Sequence, residues 1–143
     1  MANYYATTRS NYFRVKDSAA FEAWCADNSL EHWTDTKDGD TYHAISTDTG
    51  DSGGWPSQRY EEDDDGAGDY VDINFDAELA DFLDPRDVAV LLEVGNEKLR
   101  YLVGVAVAIH PDGRTHHLNI GSIYEEARKA FKDDAIQITD AMY

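Results

Sequence analysis

Hydrophobic and polar positions alternate along much of the chain in two recognisable periods. Ser10 to Lys16 sets Tyr12, Arg14 and Lys16 against Phe13 and Val15, the period of a half-buried strand. Asp17 or Ser18 then offers an N-cap to a helix whose Phe21, Trp24 and Cys25 recur at i, i+3 and i+4. Leu30 to Thr36 and Thr41 to Thr47 read as two strands joined at Lys37-Asp38-Gly39-Asp40, where Asp-Gly is a hairpin signal. A βαββ unit over about residues 10–48 is the result. From Asp48 to Asp69 Gly, Ser and Asp dominate, and like charges packed so closely resist regular structure, so 48–69 is expected to be an acidic surface loop.

Tyr70 to Phe75 alternates again, and Asp76 is placed to cap a short helix with Leu79, Phe82 and Leu83 on one face, stopped by Asp84-Pro85. The apolar runs Val88 to Val94 and Leu99 to Ile109 read as central strands around a turn at Gly95-Asn96-Glu97-Lys98, and their continuity predicts burial on both faces. Thr115 to Ile120 is the last strand. Ser122 and Glu125 form a capping box for a final helix with Tyr124, Ala127 and Phe131 inward. The order strand, helix, strand, strand thus occurs twice. The expected fold is α+β, a single domain over 1–143, with an antiparallel sheet, three short helices and a possible duplicated βαββ unit in that one sheet.

Charge changes this picture most. Residues 38–87 carry 16 of the 29 acidic side chains and only Arg59 and Arg86 as counterweight, about −14 of the −17 net charge, while the flanking stretches balance to −1 and −2. Such a field repels nucleic acid and other acidic surfaces and attracts basic ones over about 8 Å at physiological salt. Twenty Asp, nine Glu and five Lys also fit a salt-adapted protein, but that adaptation would make the surface acidic all round. With 42% apolar and 12% aromatic residues in 143, the chain has enough apolar content to fold. One cysteine, Cys25, excludes an intramolecular disulfide and a Cys-based zinc cluster and suits a reducing cytoplasm. No basic-then-apolar leader or spanning run is present, so neither secretion by that route nor a membrane location is expected.

Candidate chemistry is thin. Gly50-Asp51-Ser52-Gly53-Gly54 spells the serine-protease nucleophile motif, but only 51 residues precede Ser52 and His32 and His43 have no barrel to sit on. Asp35 to Asp40 and Asp63 to Gly66 resemble calcium loops in neither register, which leaves weak divalent binding to the acidic loop. His110, His116 and His117 read as surface histidines, and Cys25 as a core thiol. Arg9, Arg14 and Lys16 among Tyr4, Tyr5, Tyr12 and Phe13 are too few cations for direct nucleic-acid binding beside the −14 segment. Arg100 and Lys98 are placed to neutralise Glu93 or Glu97. No catalytic, metal or cofactor site is assigned, and an enzyme is not expected.

Asn3-Tyr4-Tyr5-Ala6-Thr7-Thr8-Arg9-Ser10-Asn11-Tyr12-Phe13-Arg14-Val15-Lys16-Asp17, with Gly53-Gly54-Trp55-Pro56 and Glu97-Lys98-Leu99-Arg100-Tyr101, resembles a family of small acidic proteins of bacterial plasmids, phages and integrated elements. The resemblance carries over no functional residues. It implies a habitat in which acidic decoys occupy the DNA-binding clefts of restriction or CRISPR effectors, and the chain resembles those decoys in size and charge. The expected function is therefore a non-enzymatic DNA mimic, anti-restriction or anti-CRISPR in type, that inhibits a basic DNA-binding protein such as a host defence nuclease. Its expected contact residues are Glu61, Glu62, Asp63, Asp64, Asp65, Asp69, Asp72, Asp76, Glu78, Asp81 and Asp84, with Trp55 and Tyr60 as aromatic anchors; Trp55 is equally placed to pin the loop to the core. The alternative is a salt-adapted or immunity-like small binding domain whose acidity serves solubility.

Overall fold

The structure is a computed structural model, and it describes residues 4–47, 53–97, 100–132, 135 and 137–141. The elements in chain order are β1 (Tyr4–Ser10), α1 (Ser18–Asp27), β2 (Leu30–Lys37), β3 (Asp40–Thr47), β4 (Gln58–Glu62), β5 (Gly68–Asp72), α2 (Phe75–Phe82), β6 (Ala89–Glu97), β7 (Tyr101–Ile109), β8 (Thr115–Asn119), a 3-10 turn (Ile120–Ser122) and α3 (Ile123–Ala130). The fold is α+β, as expected. No helix among the described residues is long and apolar enough to cross a membrane.

The sheets are divided differently from the expectation. One antiparallel sheet has the order β1-β6-β7-β8, while β2-β3 and β4-β5 are separate two-stranded pairs. The order strand, helix, strand, strand does recur, as β1-α1-β2-β3 and as β5-α2-β6-β7, but the two copies do not share one sheet. The first strand is Tyr4–Ser10 and not Ser10–Lys16, where only the single bridges Phe13 to His43 and Val15 to Leu83 form. Its core-facing positions hide it from a hydrophobic pattern, because they are Thr8 and Ser10, both buried. Their hydroxyls accept from the backbone N–H groups of Thr47 and Ile45, each at 2.8 Å, and His43 exchanges both backbone bonds with Phe13. The free edge of β3 is thus closed by side chains, satisfying donors whose burial unpaired would cost about 1–3 kcal/mol each.

Asp17 caps α1 by accepting from Ala20 N, and Phe21, Trp24 and Cys25 turn inward as their spacing predicts. Burial pushes the Cys25 thiol up to about 12, so it packs as a neutral core group. Between β2 and β3, Asp38 and Gly39 both take positive φ (53° and 83°), the two-residue turn that Asp-Gly favours. α2 starts two residues earlier than expected: Asn74, not Asp76, is its cap and accepts from Ala77 N, which places Asp76 within the first turn. Burial raises the Asp76 carboxyl above its ordinary value. The core lies between these helices and one face of the four-stranded sheet, with Phe13, Phe21, Leu79, Leu83, Leu91 and Ile109 all at most 1% exposed.

Arg14 fastens the chain leaving β1 to the far side of this core. Its backbone N–H, Nε and Nη2 all donate to the Asp87 carboxylate, at 2.8, 2.8 and 2.6 Å, and the bond from the guanidinium holds Asp87 below its ordinary 3.8. A carboxylate with a lowered folded-state pKa stabilises the fold above its unfolded pKa, and that contribution is lost as pH falls through the folded value. Urea midpoints taken from pH 5 to pH 2 are therefore expected to fall more steeply for the native chain than for Asp87→Asn, which lacks that titration.

The second face of the central sheet corrects another expectation. Leu92, Val94, Leu102 and Leu118 point away from the core and stand 46–66% exposed, with Ile120 and Ile123 beside them. Leu92, Val94, Leu118, Ile120 and Ile123, with Glu126 of α3, line an open groove of about 500 Å³. α3 buries no residue, and Phe131, expected inside, is half exposed. The capping box does not form: Ser122 already has helical φ and ψ, and its hydroxyl donates to Asn119 O at 2.8 Å.

Candidate interaction surface

The segment expected as a structureless acidic loop contains a strand. Residues 48–52, and with them Ser52, lie outside the described residues, but Gln58–Glu62 pairs with Gly68–Asp72 in an antiparallel ribbon with Tyr60 opposite Tyr70 and Glu61 opposite Asp69. Charge repulsion argued against regular structure here; the aromatic pair and the turn overcome it. Tyr60 and Tyr70 meet edge to face at 5.5 Å, a contact of about 0.5–1.5 kcal/mol. Asp63 turns its own carboxylate inward, accepting from the N–H groups of Asp65 and Ala67 at 3.0 Å each, and its backbone closes the loop to Ala67 and Gly66.

Residues 58–72 hold seven carboxylates, at 61–65, 69 and 72, against the one guanidinium of Arg59. At about 3.4 Å per residue the ribbon with its tip is roughly 20 Å long, and its carboxylates are divided between the two faces and the tip. Each strand of duplex DNA carries a charge every 3.4 Å along the axis. Glu61 and Asp69 stand directly opposite one another, an arrangement that destabilises a sheet. Local rules of this kind are broken most often where a surface serves something other than folding.

The ribbon is tied to the body at its base. Ile73 N donates to Ser57 O, and Arg59 reaches Glu78 on α2 with a 2.6 Å ion pair while also meeting Glu61 at 3.1 Å. Glu78 accepts from Trp24 Nε1 as well; burial pushes this carboxyl up, but the bonds from Trp24 and Arg59 outweigh it and bring it below its ordinary value. Glu78 therefore anchors the base of the ribbon. Asp84 is paired locally: its side chain is 17% exposed, bonded to the guanidinium and the backbone of Arg86, and held well below the usual carboxylate range by them. Asp76 is partly buried, whereas Asp81 remains exposed. Of the expected residues, Glu61, Glu62, Asp63, Asp64, Asp65, Asp69, Asp72 and Tyr60 share the ribbon, and Tyr70, 65% exposed, joins them. Its place opposite Tyr60 follows only from the strand pairing that the charge run concealed.

Trp55 pins the chain entering the ribbon. Its ring stacks on Phe75 at 5.7 Å, its indole N–H donates to Leu92 O, and its backbone N–H donates to Glu93. It is partly buried, so it is not the exposed anchor. Glu93 also accepts from Tyr4 Oη at 2.9 Å, and burial together with that bond pushes the Tyr4 hydroxyl up to about 12. Gly54, at φ +81°, lets the backbone pass so near Glu93 that a Cβ would collide with the carboxylate. Neighbours of this kind replace the expected pairing of Glu93 with Arg100; Lys98 lies outside the described residues.

Two of the three cations near the N-terminus are engaged within the fold, while Tyr12 and Lys16 stay exposed. Arg9 lies over the Trp33 ring at 4.3 Å, and Arg14 is committed to Asp87 and Asp40 and lies 5.3 Å from the Tyr42 ring. His110 pairs with Asp112, and His117 meets Thr115. Comparison of the chain with protein-family models, curated proteins and solved structures gives no match.

Proposed function

We propose that this protein is a non-enzymatic acidic mimic of nucleic acid that acts in the cytoplasm by occupying, and so inhibiting, the phosphate-binding cleft of a basic nucleic-acid-binding protein, an anti-restriction or anti-CRISPR type of action. The observation that carries the reading is the β4-β5 ribbon, which holds a dense set of carboxylates on a braced two-stranded scaffold with Arg59 as its only cation. Rigidity matters, because a preformed array loses less conformational entropy on binding than a floppy acidic tail. Tyr60 and Tyr70 supply apolar contact area among the charges, the combination from which binding hot spots are built.

The test is competition. The chain is immobilised and exposed to host lysate, bound proteins are eluted in graded salt, and each captured DNA-binding protein is then titrated with the chain in the presence of duplex DNA. Displacement of DNA with a steep salt dependence supports the reading. If nothing basic is retained and the fold gains its stability only in molar salt, the acidity is a solubility adaptation and the reading fails.

A further inference from the structure

We propose that Glu22, His32 and His43 form a binding site for a divalent transition-metal ion, zinc by ligand chemistry. One ligand atom from each of the three lies within 4.8 Å of the other two. No spacing motif announces them, because α1, β2 and β3 supply one each. His32 pairs with Ile45 and His43 with Thr34, so the two imidazoles are diagonal neighbours on the face of the hairpin turned toward α1. Glu22 stands one helical turn after Ser18 on the facing helix.

The two rings meet nitrogen to nitrogen, His32 Nε2 to His43 Nδ1 at 2.8 Å. With zinc–nitrogen bonds of about 2.0–2.1 Å, tetrahedral ligand nitrogens lie roughly 3.3 Å apart, so seating the ion needs an opening of about half an ångström. His32 is only partly buried and Glu22 is exposed, so the movable ligands are those nearest solvent, which is also the entry path. His43 is the fixed one: it is fully buried and doubly hydrogen-bonded to the Phe13 backbone. Phe21 packs across both imidazoles at 5.8 and 5.3 Å.

His43 has the outer partner that a metal-bound imidazole needs. Its Nε2 lies 3.1 Å from Ser18 Oγ, and an N–H given to that hydroxyl leaves the Nδ1 lone pair facing His32. Two imidazole side chains and one carboxyl side chain make a set that suits zinc and leaves a fourth position for water. Magnesium and calcium prefer all-oxygen sites and are poor occupants.

The test titrates metal-free full-length chain with zinc chloride in millimolar magnesium, which saturates nonspecific binding to the acidic surface. One zinc per chain is expected, with the imidazole nitrogen resonances of both His32 and His43 shifted and the thermal midpoint raised. Cobalt as a substitute should give visible absorption of a low-coordinate site. His32→Gln should weaken zinc binding about 100-fold and Glu22→Gln about tenfold. Zinc binding unchanged in both variants, or imidazole resonances of the native chain that do not move, overturns the proposal and places the ion on the ribbon. Should His32→Gln fail to fold, Glu22→Gln at its exposed helix position and the resonances of the native chain decide the matter.

Discussion

Reversal of Glu62, Asp64, Asp65 and Asp69 to Lys is expected to weaken binding to a captured basic partner at least 100-fold and to flatten the salt dependence of what remains. These four leave the internal supports intact: Asp63 holds the turn and Glu61 meets Arg59, so neither is altered. The substitution changes the ribbon's net charge from −6 to +2, because each reversal contributes +2. Both the long-range attraction and the counterion release that accompany binding vanish with it. Folding should survive, since all four side chains are exposed and Asp69 no longer faces a like charge. Calorimetric affinities at several ionic strengths, with circular dichroism as a fold control, measure the effect. Unchanged affinity would remove the ribbon from the interface.

Phe21→Ala is expected to cost about 3–5 kcal/mol, and thermal unfolding should begin some 10–15 °C lower if the variant folds at all. Phe21 is fully buried and is the meeting point of five rings: Phe13, Trp24, His32, His43 and Phe82, at centroid distances of 5.3–5.8 Å. These neighbours come from the β1-α1 connection, α1, β2, β3 and α2, so collapse into the vacated space requires several elements to move together. Cavities that cannot collapse are the costly ones. A loss of this size takes much of the stability of an ordinary domain, about 5–15 kcal/mol. Phe21→Leu, which keeps most of the volume, should lose clearly less; scanning calorimetry of both variants separates the two outcomes.

Local signals in the sequence were read well where one chemical demand dominated. Asp17 before Phe21, Trp24 and Cys25 marks α1, and Asp38-Gly39 marks the β2-β3 turn, because a cap and a positive-φ turn each need only nearby residues. β1 was illegible at Tyr4–Ser10, since its inward residues are hydroxyls whose partners lie 35 and 39 positions away. The alternation from Tyr70 marks part of β5, but β4 is hidden, because repulsion among Glu61 to Asp65 is visible in sequence whereas the pairing of Tyr60 with Tyr70 is not. The candidate contact set was half legible for the same reason. Exposed carboxylates at 61–65, 69 and 72 follow from the charge run, but the pairing of Glu78 and Asp84 depends on which guanidinium reaches them. The apolar runs in β6 and β7 were identified as strands, and their second face proved open because α3 leaves it uncovered.

That open face gives ionic strength two opposed effects on one molecule. At low salt the −17 charge keeps copies apart and leaves the leucines and valines of the sheet wetted but solitary. Added electrolyte muffles the repulsion without touching the oily surface, so rising salt nudges identical chains toward clustering. The acidity thus acts as a colloidal safeguard for the sheet it does not cover.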